Sequence, residues 1–290
     1  MTSGYIALAY PRTSSKANFM NSMGIGRPLV MTSDLSRAIS STAYQTYEKR
    51  LMKEVLSLPV PHHVAIIMDG NRRYAKDFGM LVSEGHDKGR QKLEDVLEWC
   101  MEIGVKMLTV YAFSTENVGR SKSEVDTLMR MFVENFRRLG DDERVHKNKI
   151  RVKVLGQRDL LPKDLQEAIG YAENKTKSYD KYFFNLAVGY GGREEIVQGI
   201  KKLAEAVKDG KLKVDDIDEK TFSKFLYTKD MPDPDLILRT SGEERISNFL
   251  LWQLAYSELY FSDIYWPGFR KIDFLRAVRS YQMRKRRFGT

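Results

Sequence analysis

Three short polar stretches of the sequence carry residue types that bind anions or metal ions. The first, Asp69-Gly70-Asn71-Arg72-Arg73, directly follows the apolar residues 64–68. An aspartate at a strand tip can hold Mg²⁺ or bind a ligand directly, while a glycine turn exposes backbone amides to phosphate oxygens. The alternative interpretation is an ordinary tight turn, in which Asp-Gly-Asn is common.

The second stretch follows the apolar residues 105–113 and joins hydroxyl, carboxylate, amide and guanidinium groups. Its members are Ser114, Thr115, Glu116, Asn117 and Arg120. Together they make a polar cluster that could contact a substrate. Taken by itself, this cluster is better explained by simple helix capping.

The third stretch contains two arginines six positions apart, Arg239 and Arg245, with Gly242 between them and Ser247 after them. Arginine binds phosphate through two parallel hydrogen bonds, which suits a second anion site. A surface salt-bridge cluster with Glu243 and Glu244 explains the same pattern equally well.

Two isolated residues are further candidates. His86 is one of four histidines, and a lone histidine is more often structural than catalytic. Glu258 lies in the apolar stretch 255–261, where we expect few partners for its carboxylate. Burial of such an acid is costly unless a cation or hydrogen bonds compensate for it.

The elements that must position these residues are short apolar runs alternating with amphipathic ones. Strands are predicted at residues 64–68, 105–113, 150–155, 182–188, 235–239 and 258–261. Helices are predicted after a Ser121–Glu124 capping box, from Pro162 and over residues 193–207. This alternation predicts an α/β fold with a mostly parallel central sheet of about six strands flanked by helices. Ligands then bind beyond the carboxyl ends of the strands.

Composition limits the possible functions. Among 290 residues, 48 Lys and Arg stand against 39 Asp and Glu, and 42% are hydrophobic, which excludes a wholly disordered chain. The single cysteine, Cys100, excludes an internal disulfide and a multi-cysteine metal cage. Strictly apolar stretches are far too short to span a membrane. The net charge of +9 suggests an anionic partner, which could be nucleic acid, a membrane surface or a phosphorylated small molecule.

The two ends of the chain differ from its centre. Residues 1–58 are predicted to be an N-terminal extension, flexible at first and helical from about residue 33, before a catalytic domain at residues 59–290. The basic, hydroxyl-rich start resembles an organelle transit peptide, although a plain extension is the favoured interpretation. The basic residues 284–289 fit a nucleic-acid patch, but zinc, RNA-binding, Walker A and dinucleotide motifs are missing from the sequence.

Four strings together resemble the cis-prenyltransferases, the undecaprenyl and dehydrodolichyl diphosphate synthase family. They begin at Met68 (Met-Asp-Gly-Asn-Arg-Arg-Tyr-Ala-Lys), Tyr111 (Tyr-Ala-Phe-Ser-Thr-Glu-Asn), Tyr190 (Tyr-Gly-Gly-Arg-Glu-Glu-Ile) and Arg239 (Arg-Thr-Ser-Gly-Glu-Glu-Arg-Ile-Ser-Asn-Phe-Leu-Leu-Trp-Gln). The similarity runs from about His63 to Gly289. The sequence of residues 226–239 resembles archaeal and eukaryotic members of the family more than bacterial ones.

The resemblance implies a Mg²⁺-dependent condensation of an allylic prenyl diphosphate with isopentenyl diphosphate, giving a cis-polyprenyl diphosphate. Asp69 would hold Mg²⁺ and help the donor diphosphate depart, and Asn117 would assist proton removal near the reacting carbons. The donor diphosphate would be surrounded by Gly70, Asn71, Arg72, Arg73, Tyr74 and His86.

The acceptor side and the reacting carbons would be lined by Ser114, Thr115, Glu116, Arg120, Arg239, Arg245, Ile246, Ser247, Arg287 and Gly289. Glu258 and Glu244 would join Asp69 as metal ligands. The Arg287-Phe288-Gly289 ending matches a family motif that reaches into the partner's site, so the resemblance implies a homodimer.

A growing prenyl chain needs an apolar tunnel. Candidate wall residues are Met129, Phe132, Val133, Phe136 and alternate residues of 182–188, for which ordinary core packing is the alternative. Departures from the family pattern at Val82, Val118, Gly189, Glu244 and Tyr182 suggest a shorter or irregular product.

Two other functions stay open from the sequence. One is irregular, non-head-to-tail coupling with dimethylallyl diphosphate as acceptor. The other is a non-catalytic accessory subunit, against which the retained Asp69, Arg73, Asn117 and Arg239 argue. We expect a cytoplasmic protein that touches the membrane to release its product, and no nucleic-acid partner.

Overall fold

The computed structural model describes the backbone of residues 32–284 and the side chains of residues 44–284. In this part the sheet contains six strands, all parallel, in the order β3-β4-β2-β1-β5-β6. The strands are β1 (His63–Ile67), β2 (Met107–Ser114), β3 (Ile150–Leu155), β4 (Tyr182–Tyr190), β5 (Leu236–Arg239) and β6 (Glu258–Phe261). The predicted parallel α/β sheet is confirmed.

Helices fill the connections between successive strands from β1 to β5, and two more precede β1 and follow β6. They are α1 (Thr32–Leu56), α2 (Asn71–Asp77), α3 (Val82–Ile103), α4 (Lys122–Asp141), α5 (Glu143–Lys147), α6 (Lys163–Thr176), α7 (Gly192–Lys208), α8 (Glu219–Ser223) and α9 (Lys271–Met283). Of the described residues, 47–284 form one compact unit. The expected boundary at residue 58 stays a prediction, and residues 1–31 and 285–290 lie outside the described part.

The register of the central strands creates the edge where a ligand can bind. Ile67 at the end of β1 pairs with Tyr111 of β2 on one side and with Arg239 of β5 on the other. The β2–β4 ladder shifts register after Tyr111, an irregularity that re-aims side chains at the end of a strand. The segments after β1, β2 and β5 therefore leave the sheet side by side.

The two faces of the sheet are covered differently. On one, which we call the α3 face, residues such as Ile66, Val110 and Leu186 point toward the layer of α3, α4, α6 and α9. On the other, the α7 face, Ala65, Ile67, Leu155, Ala187 and Ile237 pack against Tyr190, Phe249 and Leu250 in one buried cluster. The loop that follows β5 covers the α7 face, because it contributes Phe249 and Leu250.

One predicted local feature of α4 is wrong. Ser121 is the N-cap residue of α4, but its side chain accepts no capping hydrogen bond. The Glu124 carboxylate instead receives a hydrogen bond of 3.0 Å from Arg120 Nη1. The expected capping box is therefore replaced by an ion pair that faces the candidate site.

Candidate active site

Asp69, two residues beyond the end of β1, is the centre of a charged cluster. Its Oδ2 accepts a hydrogen bond of 2.8 Å from Arg239 Nη2, and its Oδ1 lies 3.3 Å from Arg73 Nη2. Partial burial favours the neutral acid, but the two guanidinium groups outweigh burial and hold the pKa of Asp69 below its usual range. Asp69 is therefore a carboxylate at neutral pH.

The turn after Asp69 depends on glycine. Gly70 has a φ of 104°, and a Cβ there would lie 2.9 Å from the Tyr265 ring. The Asp69 carbonyl oxygen accepts hydrogen bonds from Thr240 Oγ1 (2.7 Å) and from the Trp266 backbone N–H (3.0 Å). These contacts fix the direction in which the carboxylate points.

Arg239 is a buried cation, with only 4% of its surface exposed. Its Nη1 donates to Ser247 Oγ at 2.8 Å and to the Arg245 carbonyl oxygen. Its Nε is buried without a hydrogen-bond partner in the structure. A buried guanidinium with an unused N–H donor is costly, which favours an anion-binding role for Arg239.

The loop after β5 has an uncommon backbone. Ser241, Ser247, Asn248 and Leu250 all have positive φ values, of 82°, 45°, 64° and 47°. Residues other than glycine adopt this region only at a cost, and such positions concentrate at functional sites. The loop is therefore held in a shape that presents Arg245 and Ser247 beside Arg239.

Glu243 links the two arginine-containing segments. Its Oε1 lies 2.9 Å from Arg73 Nη1, and its Oε2 pairs with Arg245. The salt-bridge interpretation of this stretch is confirmed for Glu243, whereas Glu244 is exposed. Because the sequence alone does not separate these neighbouring acids, Glu243 was not predicted as a site residue.

A second acid, Glu124, gathers cations on the opposite side of the site. Its Oε1 lies 3.0 Å from Arg120 Nη1, 3.6 Å from His86 Nε2 and 3.8 Å from Arg72 Nε. Burial, helped by the charge of Arg120, lowers the pKa of His86, which leaves the imidazole neutral at pH 7. Glu124 was missed as a site residue, although its position four residues after Arg120 is a usable signal.

The segment after β2 combines capping with site formation. Ser114 Oγ accepts the Asn117 N–H at 3.2 Å, while Asn117 Oδ1 accepts the Ser114 N–H at 3.1 Å. The capping interpretation of this stretch is confirmed. Glu116 Oε1 accepts from Asn248 Nδ2 at 2.7 Å, which joins this segment to the loop after β5.

Asn71 lies against a glycine of α3. Its Nδ2 donates to the Met68 carbonyl oxygen at 3.2 Å, and its Oδ1 is buried without a partner. A Cβ at Gly89 would collide with that oxygen, and the Gly89 carbonyl oxygen accepts from Trp266 Nε1 at 2.7 Å. Gly89 therefore lets α2 and α3 approach closely beside Asp69.

A cavity of about 640 Å³ opens at this cluster. The predicted residues that line it are Asp69, Asn71, His86, Ser114, Glu116, Asn117, Arg120, Arg239, Arg245 and Ser247. Deeper in, its walls are apolar and include Leu93, Phe132 and Leu186. The structure thus brings together residues from all three polar stretches, and His86 from outside them.

A second cavity of about 350 Å³ lies farther along α3 and α4. It shares Arg90, Leu93, Phe132, Asn135 and Leu186 with the first cavity, and Phe136 and Phe184 add apolar wall. Of the other candidate wall residues, Met129 lines a different pocket, while Val133 and Tyr182 line neither of these two. Two ammonium groups, of Lys106 and Lys181, lie over the Tyr182 ring.

Several predicted residues lie elsewhere. Glu258 pairs with Leu236 at the amino end of β5, the opposite edge of the sheet from Asp69, and its Oε2 lies 2.6 Å from Arg284 Nη1. A cation therefore compensates this carboxylate, as the sequence had left open. Among the described residues no three His, Cys, Asp or Glu side chains form a metal-holding group, so Asp69, Glu244 and Glu258 do not converge within one chain.

The remaining predicted residues surround the cavity less closely. The Arg72 side chain is 59% exposed, Tyr74 stacks on Phe78, and Thr115 lies against Gly191. Ile246 is partly buried in the loop after β5. Arg287 and Gly289 lie outside the described residues. In the described part, no helix is long and apolar enough to cross a membrane.

Known proteins share this architecture. Residues 67–289 match the prenyltransferase family model of the undecaprenyl diphosphate synthases. The chain is 57% identical over 255 residues to the geranylgeranyl-diphosphate-specific tritrans,polycis-undecaprenyl-diphosphate synthase of Thermoplasma volcanium, covering 88% of this chain and 99% of that protein. The protein of the same name from Pyrococcus horikoshii is 52% identical over 257 residues, covering 89% and 97%.

Solved structures agree. Lavandulyl diphosphate synthase from Lavandula x intermedia, solved in complex with dimethylallyl diphosphate, superposes with a TM-score of 0.76 at 43% identity, covering 80% of this chain and 99% of that one. An undecaprenyl diphosphate synthase structure from Campylobacter jejuni gives 0.66 at 33% identity, covering 80% and 100%. The resemblance and its archaeal character are confirmed: this chain is a prenyltransferase enzyme and belongs to the undecaprenyl diphosphate synthase family.

Proposed function

We propose that the protein condenses an allylic prenyl diphosphate with isopentenyl diphosphate to give a cis-polyprenyl diphosphate. One observation carries the proposal: Asp69 is held between Arg239 and Arg73 at the polar mouth of an apolar cavity. The names of the relatives in Thermoplasma volcanium and Pyrococcus horikoshii favour geranylgeranyl diphosphate as the primer.

The arginines would stabilise the diphosphate groups of the two substrates. Negative charge accumulates on the departing diphosphate when the allylic carbon ionises, and donors fixed in advance stabilise that charge most. Arg73 and the backbone around Gly70 would face the donor. Arg239, Arg245 and Ser247 would bind the acceptor, and the unused Arg239 Nε supports this role.

Magnesium fits the donor set around Asp69. Mg²⁺ is commonly held by one or two carboxylates together with substrate phosphates and water, so a single ionised Asp69 suffices on the protein side. When bound, Mg²⁺ would help neutralise the charge of the departing diphosphate. We do not extend this ligand set to Glu244 or Glu258, because neither converges on Asp69 within the chain.

Asn117 would lie near the reacting carbons, and His86 would contact the donor diphosphate. Asn117 has its amide oxygen engaged by the Ser114 N–H, which leaves the amide nitrogen to orient a ligand in the cavity. His86 is neutral, so it would bind as a hydrogen-bonding group without adding charge. The two connected cavities would together form the tunnel for the prenyl chain, with Phe132 and Leu186 on its wall.

A homodimer and peripheral membrane contact complete the proposal. The Arg287-Phe288-Gly289 ending supports a site shared between two copies. The net charge of +9 and a greasy product favour contact with anionic lipid surfaces.

Irregular coupling with dimethylallyl diphosphate is the second candidate. The 43% identity to lavandulyl diphosphate synthase supports it, as do the departures at Val118 and Glu244. The identities of 52% to 57% to the archaeal synthases favour the regular reaction.

Product analysis tests both candidates. Purified protein is incubated with Mg²⁺ and geranylgeranyl, farnesyl or dimethylallyl diphosphate, with labelled isopentenyl diphosphate as acceptor, and the products are identified by mass spectrometry. We expect long cis-polyprenyl diphosphates that disappear with EDTA. Failure to form product with every primer contradicts the proposal, whereas a branched product from dimethylallyl diphosphate alone selects the irregular reaction.

A further inference from the structure

A cluster of ion pairs, distant in sequence from Asp69, forms part of the boundary of the second cavity. We call it the Glu94 clasp, and it consists of Arg90 and Glu94 of α3, Arg138 of α4, and Arg144 of α5. All four line the second cavity, whose inner wall is otherwise largely apolar. Arg90 also borders the first cavity, whereas Glu94, Arg138 and Arg144 do not.

Glu94 holds the clasp together. Its Oε1 lies 2.5 Å from Arg90 Nη1 and also pairs with Arg138, while its Oε2 lies 3.0 Å from Arg144 Nη2. One carboxylate on α3 thus links its own helix to α4 and α5.

Arg144 anchors the clasp at the start of α5. Its Nη2 lies 2.8 Å from Asp142, the N-cap residue of α5, and its Nη1 lies 3.2 Å from Glu98. Hydrogen bonds from Arg144 lower the pKa of Asp142, so the pair stays ionised at neutral pH. Half of the Arg144 side chain is exposed, which places the clasp between the cavity and solvent.

A hydrocarbon chain that grows past Phe132 and Phe136 would meet this clasp. Passage between α3 and α4 would require the pairs of Glu94 to separate and apolar carbon to take their place. Each pair is weak at a surface, but three pairs on one acid must be broken together.

We propose that the Glu94 clasp is a salt-bridged gate in the wall of the prenyl-chain cavity, between α3 and α4, and sets the length at which chain growth stops. The inference rests on the proposed function for the direction from which the chain enters. It assigns the stopping point to charged residues on helices, rather than to the bulk of an apolar side chain on the sheet.

The first test compares product lengths. With geranylgeranyl diphosphate, excess isopentenyl diphosphate and Mg²⁺, Glu94→Ala is expected to shift the product distribution toward chains longer by at least one five-carbon unit. The rate of the first condensation should stay within about twofold, because the clasp does not contact Asp69. Arg144→Ala is expected to shift the distribution in the same direction but less, since Arg90 and Arg138 still hold Glu94.

Asp95→Ala is the matched control. Asp95 is also an acid of α3 and pairs with Lys92 at 2.8 Å, but it does not line the cavity. Its product distribution should equal that of the wild type. Unchanged or shorter products in both Glu94→Ala and Arg144→Ala, with a normal first condensation, overturn the inference.

A binding experiment separates this inference from the proposed reaction. Affinity for a series of n-alkyl diphosphates of increasing length is measured by calorimetry. Each methylene that enters the cavity should raise affinity about fourfold, up to the length that reaches the clasp. In Glu94→Ala the plateau should begin at a longer chain; an identical plateau overturns the inference, whether or not the protein forms product.

Discussion

The two faces of the sheet bury their side chains for different purposes. On the α7 face, Tyr111 stacks on Phe249 with ring centroids 4.6 Å apart, and Tyr190 meets both rings edge-on. On the α3 face, Phe132 and Leu186 border two cavities. The well-packed α7 face fixes the loop that carries Arg245 and Ser247, while the α3 face leaves room for a prenyl chain. The close packing of the α7 face and the cavity walls of the α3 face thus lie on opposite sides of the sheet.

A buried acid stabilises the α7 face. Glu195 accepts hydrogen bonds from the Tyr190 hydroxyl at 2.5 Å and from the Tyr227 N–H at 2.8 Å. Burial is the main influence on its carboxyl group and raises the pKa of Glu195 despite these donors. Because Tyr190 also packs on Phe249, the polar network and the aromatic cluster stabilise the same loop.

The largest effect is expected where the two faces meet, at Asp69. Asp69→Asn keeps the size of the side chain but removes the charge that pairs with Arg239 and would hold Mg²⁺. We expect kcat/KM for prenyl transfer to fall by about 10³-fold or more, or ~4 kcal/mol of transition-state stabilisation. Circular dichroism should stay near the wild type, whereas the melting temperature should fall, because the buried Arg239 loses its counter-charge. A variant with near-normal activity would remove Asp69 from its proposed role.

The difference in packing between the two faces is tested by removing a phenylalanine ring from the α7 face. Phe249→Ala should lower the free energy of unfolding by about 3–5 kcal/mol, because Phe249 is fully buried in an apolar cluster and lines neither cavity. Urea denaturation measures this change. A loss below ~2 kcal/mol would mean that the α7 face can collapse around the missing ring.

A third prediction concerns His63, which belongs to the α7 face at the amino end of β1. Its Nδ1 lies 2.8 Å from the Pro232 carbonyl oxygen, so that nitrogen carries the proton, and its Nε2 lies 2.7 Å from Thr109 Oγ1. Burial lowers the pKa of His63 to about 4. The folded protein therefore holds this imidazole neutral.

The sign of the pH dependence follows from this value. Above pH 6.5 the imidazole is neutral in both states, but between 6.5 and about 4 only the unfolded chain binds the proton. Stability should therefore fall by about 3 kcal/mol as pH drops through this window. His63→Gln should flatten that part of the curve. An unchanged slope in His63→Gln contradicts the prediction.

The smallest effect on stability is expected on the α3 face. Phe132→Ala removes the same ring as Phe249→Ala, but Phe132 already borders both cavities and is 9% exposed. We expect a loss of roughly 2 kcal/mol in the free energy of unfolding, because fewer contacts disappear with the ring. Equal losses in the two variants, measured under the same conditions, would abolish the distinction between the faces.

The sequence predicted the strands well because each is a short apolar run rich in Val, Ile, Phe and Tyr. The predicted strands at residues 150–155 and 258–261 have the observed bounds, and the others differ by at most two residues at either end. Asp69 and Arg239 could be placed together because both end parallel strands.

What the sequence could not predict depends on distant pairings. Glu258 follows an apolar pattern, but only the register with Leu236 shows that it lies at the amino edge of the sheet. The choice between Glu243 and Glu244 depends on the positive φ of the neighbouring Ser241 and Gly242. The Glu94 clasp joins three helices through side chains, and helical periodicity gives no information about such partners.

The position of β1 in the middle of the sheet has a consequence for synthesis of the protein. Asp69 and its partner Arg239 are 170 residues apart, and β1 pairs with β5 on one side. A ribosome must therefore release nearly the whole chain before β1 loses its open edge and the site acquires its buried arginine. Until then the nascent chain exposes an apolar strand, so chains interrupted before β5 should be inactive and prone to aggregate.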